Sequence, residues 1–345
     1  MAIERVFTQP GPDEERYLTS LRPQTLADCV GQEQVRQQLQ IALEAAKARR
    51  EPLEHILLDG PPGLGKTTFA HVIANEMNAT IRVSSGPAIA RQGDLMMMLT
   101  QMATGEIIFI DEVHRLNRVV EEFLYPAMED FRVDYTTETG IGGRTVNFAL
   151  KRFTLIGATT RAGMLTAALR GRFGHVFHME YYSTEELTRI VSRNAELLEV
   201  RSDRAALELL ASRARGTPRI VNRLLRRVRD YAQVRGDGTL TPAIVDATME
   251  ILQVDELGLD SLDRAYLGAL IKHYDGGPAG IEAIAATMGH ERDTLEDVVE
   301  PYLLQLGFVV RTPRGRLVRP AAYEHLGIAP PMRTQDSVDQ GSLFE

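Results

Sequence analysis

The stretch Gly60-Pro61-Pro62-Gly63-Leu64-Gly65-Lys66-Thr67-Thr68 narrows the fold of this chain more than any other. It follows an apolar run at residues 55–58 that reads as a buried strand, and it opens residues 67–77, which read as a helix. Strand, glycine-rich turn and helix in that order make a phosphate-binding loop. The glycines let successive backbone N–H groups point inward, and the helix N-terminus adds partial positive charge. Lys66 can reach β- and γ-phosphates, and the Thr67 hydroxyl suits Mg²⁺, with Thr68 beside it in the first helical turn. The chemistry therefore starts from a nucleoside triphosphate.

A second stretch, Ile107-Ile108-Phe109-Ile110-Asp111-Glu112, reads as a short central strand. It delivers two acids to its carboxyl end, where open α/β sheets place ligands. Asp111 is the candidate Mg²⁺ partner beyond the ion's direct ligands, and Glu112 the candidate base that orients an attacking water. Either motif alone has an ordinary structural explanation; at this spacing they support each other.

With 345 residues the chain is long enough for two or three domains. It has no apolar run of about eighteen residues, and residues 1–19 are polar, so neither a membrane span nor a secretory leader is expected and the chain reads as cytoplasmic. Its single cysteine, Cys29, cannot form an internal disulfide, which fits a reducing compartment. A net charge of −8 argues against phosphate attraction over the whole surface but allows a local basic site. Arginines concentrate at residues 213–229, where Ile220, Val221, Leu224, Leu225 and Val228 interleave at helical spacing, and again at residues 311–319. The first cluster reads mainly as a helix with a solvated basic face.

Residues 20–180 alternate strand-like and helical stretches, the pattern of an α/β sheet with crossover helices, with strands expected at 55–58, 80–84, 107–110 and 153–158. Residues 131–148 flank Thr139-Gly140-Ile141-Gly142-Gly143 and read as a β-hairpin with a glycine-rich tip. Ile141 at such a tip suggests a partner surface. From Ser183 onward the strands stop: Ser183, Ser202 and Thr241-Pro242 mark helix starts, and residues 255–260 read as a short linker. Three helical patterns, at 263–274, 280–288 and 293–305, then precede two short strands around Thr312-Pro313-Arg314-Gly315-Arg316. Three helices and a basic hairpin describe a winged helix, with Arg311, Arg314, Arg316 and Arg319 placed for phosphate contact. The expected organisation is a large nucleotide domain at 1–182, a small helical domain at 183–255, a winged-helix head at 256–328 and a disordered tail at 329–345.

Further motifs stand in order: Asp111-Glu112-Val113-His114-Arg115-Leu116, Tyr125-Pro126-Ala127-Met128-Glu129-Asp130, Leu155-Ile156-Gly157-Ala158-Thr159-Thr160-Arg161, Leu169-Arg170-Gly171-Arg172-Phe173-Gly174 and Gly216-Thr217-Pro218-Arg219. With these the chain, over residues 15–328, closely resembles the RuvB family, AAA+ motor subunits of the bacterial Holliday junction branch-migration complex. The resemblance implies an α/β P-loop AAA+ domain, a small all-α lid and a winged-helix head. It implies ATP and Mg²⁺ as cofactors and DNA translocation in recombination and repair as the activity.

It also implies roles for single positions. Leu21 and Arg22 would meet the adenine, with Tyr182 and the region Glu129, Asp130 and Phe131 near the same pocket. Gly63, Gly65, Lys66, Thr67 and Thr68 would hold the phosphates. Thr159 or Thr160 would be the first sensor, Arg219 the second, and Arg172, two residues from Arg170, the arginine finger reaching a neighbouring subunit. Arg292, Arg311, Arg314 and Arg316 would contact DNA, and Ile141 would meet RuvA. A homo-hexameric ring and RuvC in the resolving complex belong to the same picture. The tail end Gln340-Gly341-Ser342-Leu343-Phe344 resembles the short peptide by which bacterial repair proteins dock on the sliding clamp. Two other readings compete: a clamp-loader-like AAA+ ATPase acting on a protein ring, which has no need of the terminal wing, and a non-catalytic nucleotide switch, which has no need of Glu112 or Arg172.

Overall fold

The apolar runs pair in parallel. The computed structural model describes residues 12–136 and 145–330. Its strands are β1 (Ile56–Asp59), β2 (Ile81–Ser85), β3 (Ile107–Asp111), β4 (Arg132–Thr136), β5 (Thr145–Ala149), β6 (Thr154–Thr159) and β7 (His175–His178). Five form one sheet in the order β2-β3-β6-β1-β7, with every neighbouring pair parallel. Both faces of a parallel sheet are covered by crossover helices, which is why β1, β3 and β6 are nearly continuous apolar runs. The helices are α1 (Pro12–Ser20), α2 (Glu33–Arg49), α3 (Lys66–Glu76), α4 (Gln92–Thr100), α5 (Arg118–Glu129) and α6 (Ala167–Arg170). Leu57, Ile108, Ile110 and Leu155 of the sheet pack with Leu95, Leu99, Phe123 and Leu124 of α4 and α5. Strand β7 was not anticipated. It has only four residues, with a histidine at each end, and lies at a sheet edge, where Val176 stays exposed, so no long apolar run announces it.

The expected hairpin is β4 and β5, antiparallel with Val133 opposite Phe148. Its tip, including Ile141, lies outside the described residues. At its base Phe131 meets Phe153 edge-on at 5.7 Å, and His55 lies 5.5 Å from Phe153.

The described residues divide into two compact units, one ending at Thr248 and the other beginning at Met249. The first holds the sheet and the helices α7 (Thr184–Leu197), α8 (Arg204–Ser212) and α9 (Pro218–Arg235), while α10 (Pro242–Leu252) spans the division. Ser183 and Glu186 form the capping box that starts α7. Asp203, one residue beyond Ser202, occupies the N-cap position of α8. The arginine-rich α9 buries Val221, Leu224, Leu225 and Val228 as expected. The basic cluster is less solvated than predicted, because Arg223 of α9 and Arg215 before it are buried and Arg213, at the end of α8, pairs with Asp246.

The second unit contains α11 (Ser261–Tyr274), α12 (Ile281–Met288) and a third helical stretch. That stretch is α13 (Arg292–Thr294), a π-helical turn at Leu295–Val299 and α14 (Glu300–Gln305). An antiparallel hairpin follows, β8 (Val309–Thr312) with β9 (Gly315–Val318), and then α15 (Pro320–His325). Residues 255–260, expected as a short linker, form an ordered turn. Asp255 Oδ1 accepts from the amides of Leu257 and Leu259, and Asp260 caps α11. Among the described residues no helix is long and apolar enough to cross a membrane.

Candidate functional site

The loop after β1 turns where glycine is required. Gly60 has φ 143° and lies so close to strand β7's exit that an added Cβ would meet the Met179 carbonyl oxygen at 2.6 Å. Gly63 has φ 84°, and a Cβ there would press on Arg219 Cβ at 3.3 Å. Lys66, at the start of α3, is only 7 % exposed, and its Nζ donates to the carbonyls of Gly60 at 2.6 Å and Pro61 at 2.8 Å. Burial pushes its ammonium down to about 8; Asp111 and Asp59 oppose that, and Arg219 reinforces it. A buried cation hydrogen-bonded to neutral carbonyls, with a second cation near it, is a site built to receive an anion. The loop therefore fits a polyphosphate, with Gly63, Gly65, Lys66, Thr67 and Thr68 around it.

Parallel register brings the carboxyl ends of β1, β3 and β6 to the same edge. Asp59 lies opposite Thr159, and the Gly60 amide donates to the Thr159 carbonyl at 3.2 Å. Asp111 ends β3 and accepts from the Glu112 amide at 2.9 Å. Glu112 has φ 49°, and its carboxylate pairs with Arg115 at 3.1 Å. Thr159 is 1 % exposed, and its hydroxyl meets His114 Nδ1 at 2.9 Å and accepts from the Arg161 amide at 3.0 Å. Thr160, the other sensor candidate, is exposed just past the strand. His114, absent from the predicted set, is the residue that ties β6 to the turn after β3.

The lid helices close over the loop from one side. The Arg219 amide donates to the Gly63 carbonyl at 3.3 Å. Tyr182 donates through its hydroxyl to the Leu64 carbonyl at 3.2 Å, and its amide bonds the Gly216 carbonyl at 2.9 Å. Burial pushes its phenol far above the usual range. Leu21 is buried, and its carbonyl accepts from Arg193 of α7 at 3.2 Å. The Arg22 charge reaches His71 of α3 and, after burial, is the second cause holding that imidazole below its ordinary range. Leu21, Arg22, Tyr182 and Arg219 are thus gathered by α3, α7 and the loop.

Glu129, Asp130 and Phe131 are not beside Tyr182 in the same chain. His55, at the opposite end of β1 from the loop, meets the Met128 carbonyl at 3.0 Å and the Phe131 ring at 6.1 Å. Asp130 pairs with Arg132. Glu129 binds Arg172 at 3.1 Å, so the finger candidate and this acidic turn occupy the far edge of the sheet. The reason is topological: α5 runs antiparallel to β3 and ends at the sheet's amino edge. Sequence order could not show this.

In the head, the basic residues differ sharply in freedom. Arg314 and Arg319 are exposed. Arg292 pairs with Glu282 and Glu296. Arg311 and Arg316 converge on Glu300, which is 0 % exposed. Arg316 is 14 % exposed and also holds Glu296. Burial alone would raise the Glu296 carboxyl, but Arg292 and Arg316 outweigh it and hold it below the usual range. Arg316 is therefore first a structural cation, where the sequence suggested a plain phosphate contact.

Three family models match the chain in succession. They are the Holliday junction DNA helicase RuvB P-loop domain over residues 21–179, the RuvB AAA lid domain over 182–255 and the RuvB C-terminal winged helix domain over 256–327. A Holliday junction branch migration complex subunit RuvB of Kosmotoga olearia is 55 % identical over 326 residues, covering 94 % of this chain and 95 % of that protein. A solved Thermotoga maritima structure described as the RuvB Holliday junction branch migration motor is 49 % identical with TM-score 0.83, covering 90 % of this chain and all of the other. A mutant of the same Thermotoga protein gives TM-score 0.84 at equal identity.

Proposed function

The chain belongs to the RuvB family, and from that premise we infer that it is an ATP-hydrolysing motor that drives Holliday junction branch migration. The observation that carries this reading is the pairing of Lys66 and Arg219 around an anion-receptive loop beside Asp111, Glu112 and Thr159. ATP supplies a transferable γ-phosphoryl group, and Thr67, with Asp111 behind it, would hold Mg²⁺, which would spread the phosphate charge. Lys66 leaves the Gly60 and Pro61 carbonyls for phosphate oxygens. Glu112 turns from Arg115 to orient a water, and Thr159 or Thr160 fixes that water's neighbourhood. Arg219 reports the state of the loop to α9.

Arg172 serves a different chain. Its place with Glu129 at the sheet edge away from the loop supports action on a neighbour's nucleotide, with Glu129, Asp130 and Phe131 on the same neighbour-facing side. A finger arginine contributes about 10³ to 10⁵ in rate, so a closed ring, a hexamer in this reading, is the working unit. In the head, exposed Arg314 follows duplex phosphates, with Arg292 and Arg311 beside it, while Arg316 holds the hairpin to Glu300 and Glu296. The hairpin, with Val146 and Phe148 exposed on β5, meets RuvA together with Ile141, and RuvC joins for resolution. The tail peptide ending at Leu343 and Phe344 docks on the sliding clamp. All of this takes place in the cytoplasm, where the free, buried Cys29 stays reduced.

ATP turnover with and without branched DNA tests the reading. Glu112→Gln should bind ATP and leave it uncleaved, whereas unchanged turnover would remove Glu112 from its role.

A further inference from the structure

Arg172 sits in a built cradle. Its guanidinium lies 4.1 Å from the centre of the Tyr125 ring, Nη1 donates to the Ala168 carbonyl at 2.6 Å, and Nη2 donates to Glu129 at 3.1 Å. Its Nε is buried without an acceptor. The cation is thus fixed in direction yet incompletely satisfied. Tyr125 is fixed in turn: its hydroxyl donates to Glu121 at 2.5 Å, and Glu121 is a buried carboxylate that also accepts from Thr166. Thr166 caps α6, the helix that carries Ala168 and leads into Arg172. One buried carboxylate therefore pins both the ring under the guanidinium and the helix beside it. Nothing in the hydrolytic site uses Glu121 or Tyr125.

We propose that Tyr125, anchored by Glu121, is a positioning residue that sets the direction in which Arg172 is offered to the neighbouring chain. A ring contact suits this task. It uses the flat face of the guanidinium, so the edge donors can exchange Glu129 for a phosphate without losing orientation. An arginine held only by ion pairs would have to give up its alignment at the moment it acts. The inference rests on reading Arg172 as a finger, and the test separates the two.

Full-length rings are assayed for ATP turnover on duplex DNA. Tyr125→Leu should lower kcat about tenfold and leave KM for ATP within about twofold, whereas Tyr125→Phe, which keeps the ring but loses the Glu121 anchor, should recover only part of the loss. In an Arg172→Ala background Tyr125→Leu should cost nothing more. Mixing decides between positioning and damage. Glu112→Gln chains cannot hydrolyse but carry an intact cradle, so adding them should raise turnover per Tyr125→Leu chain, because the neighbour supplies the missing orientation. A chain impaired in its own folding gains nothing from a neighbour. If Arg172→Ala chains are not rescued by the same addition, the finger reading falls and the proposal with it. If Arg172→Ala is rescued and Tyr125→Leu is not, the proposal alone is overturned.

Discussion

Replacing Arg316 with methionine separates a structural cation from a DNA contact. Glu300 accepts from Arg311 Nε at 2.8 Å, Arg316 Nε at 2.7 Å and the Tyr266 hydroxyl at 2.7 Å, wholly out of water. Stranding one partner of a buried pair costs about 3–5 kcal/mol, and since Arg311 and Tyr266 remain, the lower end, about 3 kcal/mol, applies here. In a domain of this size each 1 kcal/mol moves Tm by roughly 4–8 °C, so the head transition should drop by about 12–24 °C in calorimetry. Arg314→Ala is the control, because Arg314 is exposed in the turn. It should leave Tm alone and reduce the slope of log K against log salt by about 0.9 for one lost phosphate contact. Adding Glu300→Gln to Arg316→Met should recover part of the lost stability by removing the stranded charge. An Arg316→Met protein that melts within about 2 °C of the parent would refute the argument, because so small a shift means less than about 1 kcal/mol.

Three further outcomes follow from the geometry. Burial holds Lys66 at about 8, so nucleotide binding at pH 8 should take up about half a proton per site, measured by calorimetry in buffers of differing ionisation enthalpy. His55 accepts from the Leu155 amide through Nδ1 and donates to the Met128 carbonyl through Nε2, and burial holds its ionisation low. The unfolded chain therefore gains the proton first, and as pH falls from about 6.5 the parent should lose up to about 1.4 kcal/mol per unit that a His55→Gln variant does not lose. Phe148→Asp and Ile141→Asp should abolish stimulation by RuvA in a branch-migration assay while leaving basal ATP turnover intact.

The loop was legible because its demands are local: positive φ at Gly63 and an apolar strand before it are written in adjacent residues. The same holds for the head, whose hairpin turn and helix periods are short-range signals. Contacts made by distant residues were not. Glu300 looks like one more polar residue in a helix, and only the fold brings Arg311 and Arg316 to it. Glu129 seemed to belong with Tyr182 until the course of α5 carried it to the other edge of the sheet. Strand β7 escaped because an edge strand needs few apolar residues.

Helix α9 begins where the Arg219 amide grips the Gly63 carbonyl, and it continues without a break for 18 residues. At about 1.5 Å per residue it is a lever about 27 Å long, so a pivot of roughly 10° at the loop sweeps its far end through about 5 Å. Any such pivot would be geared by helix length rather than by the size of the chemical event. Lengthening the arm by one turn should increase the throw by about one fifth with the fulcrum untouched.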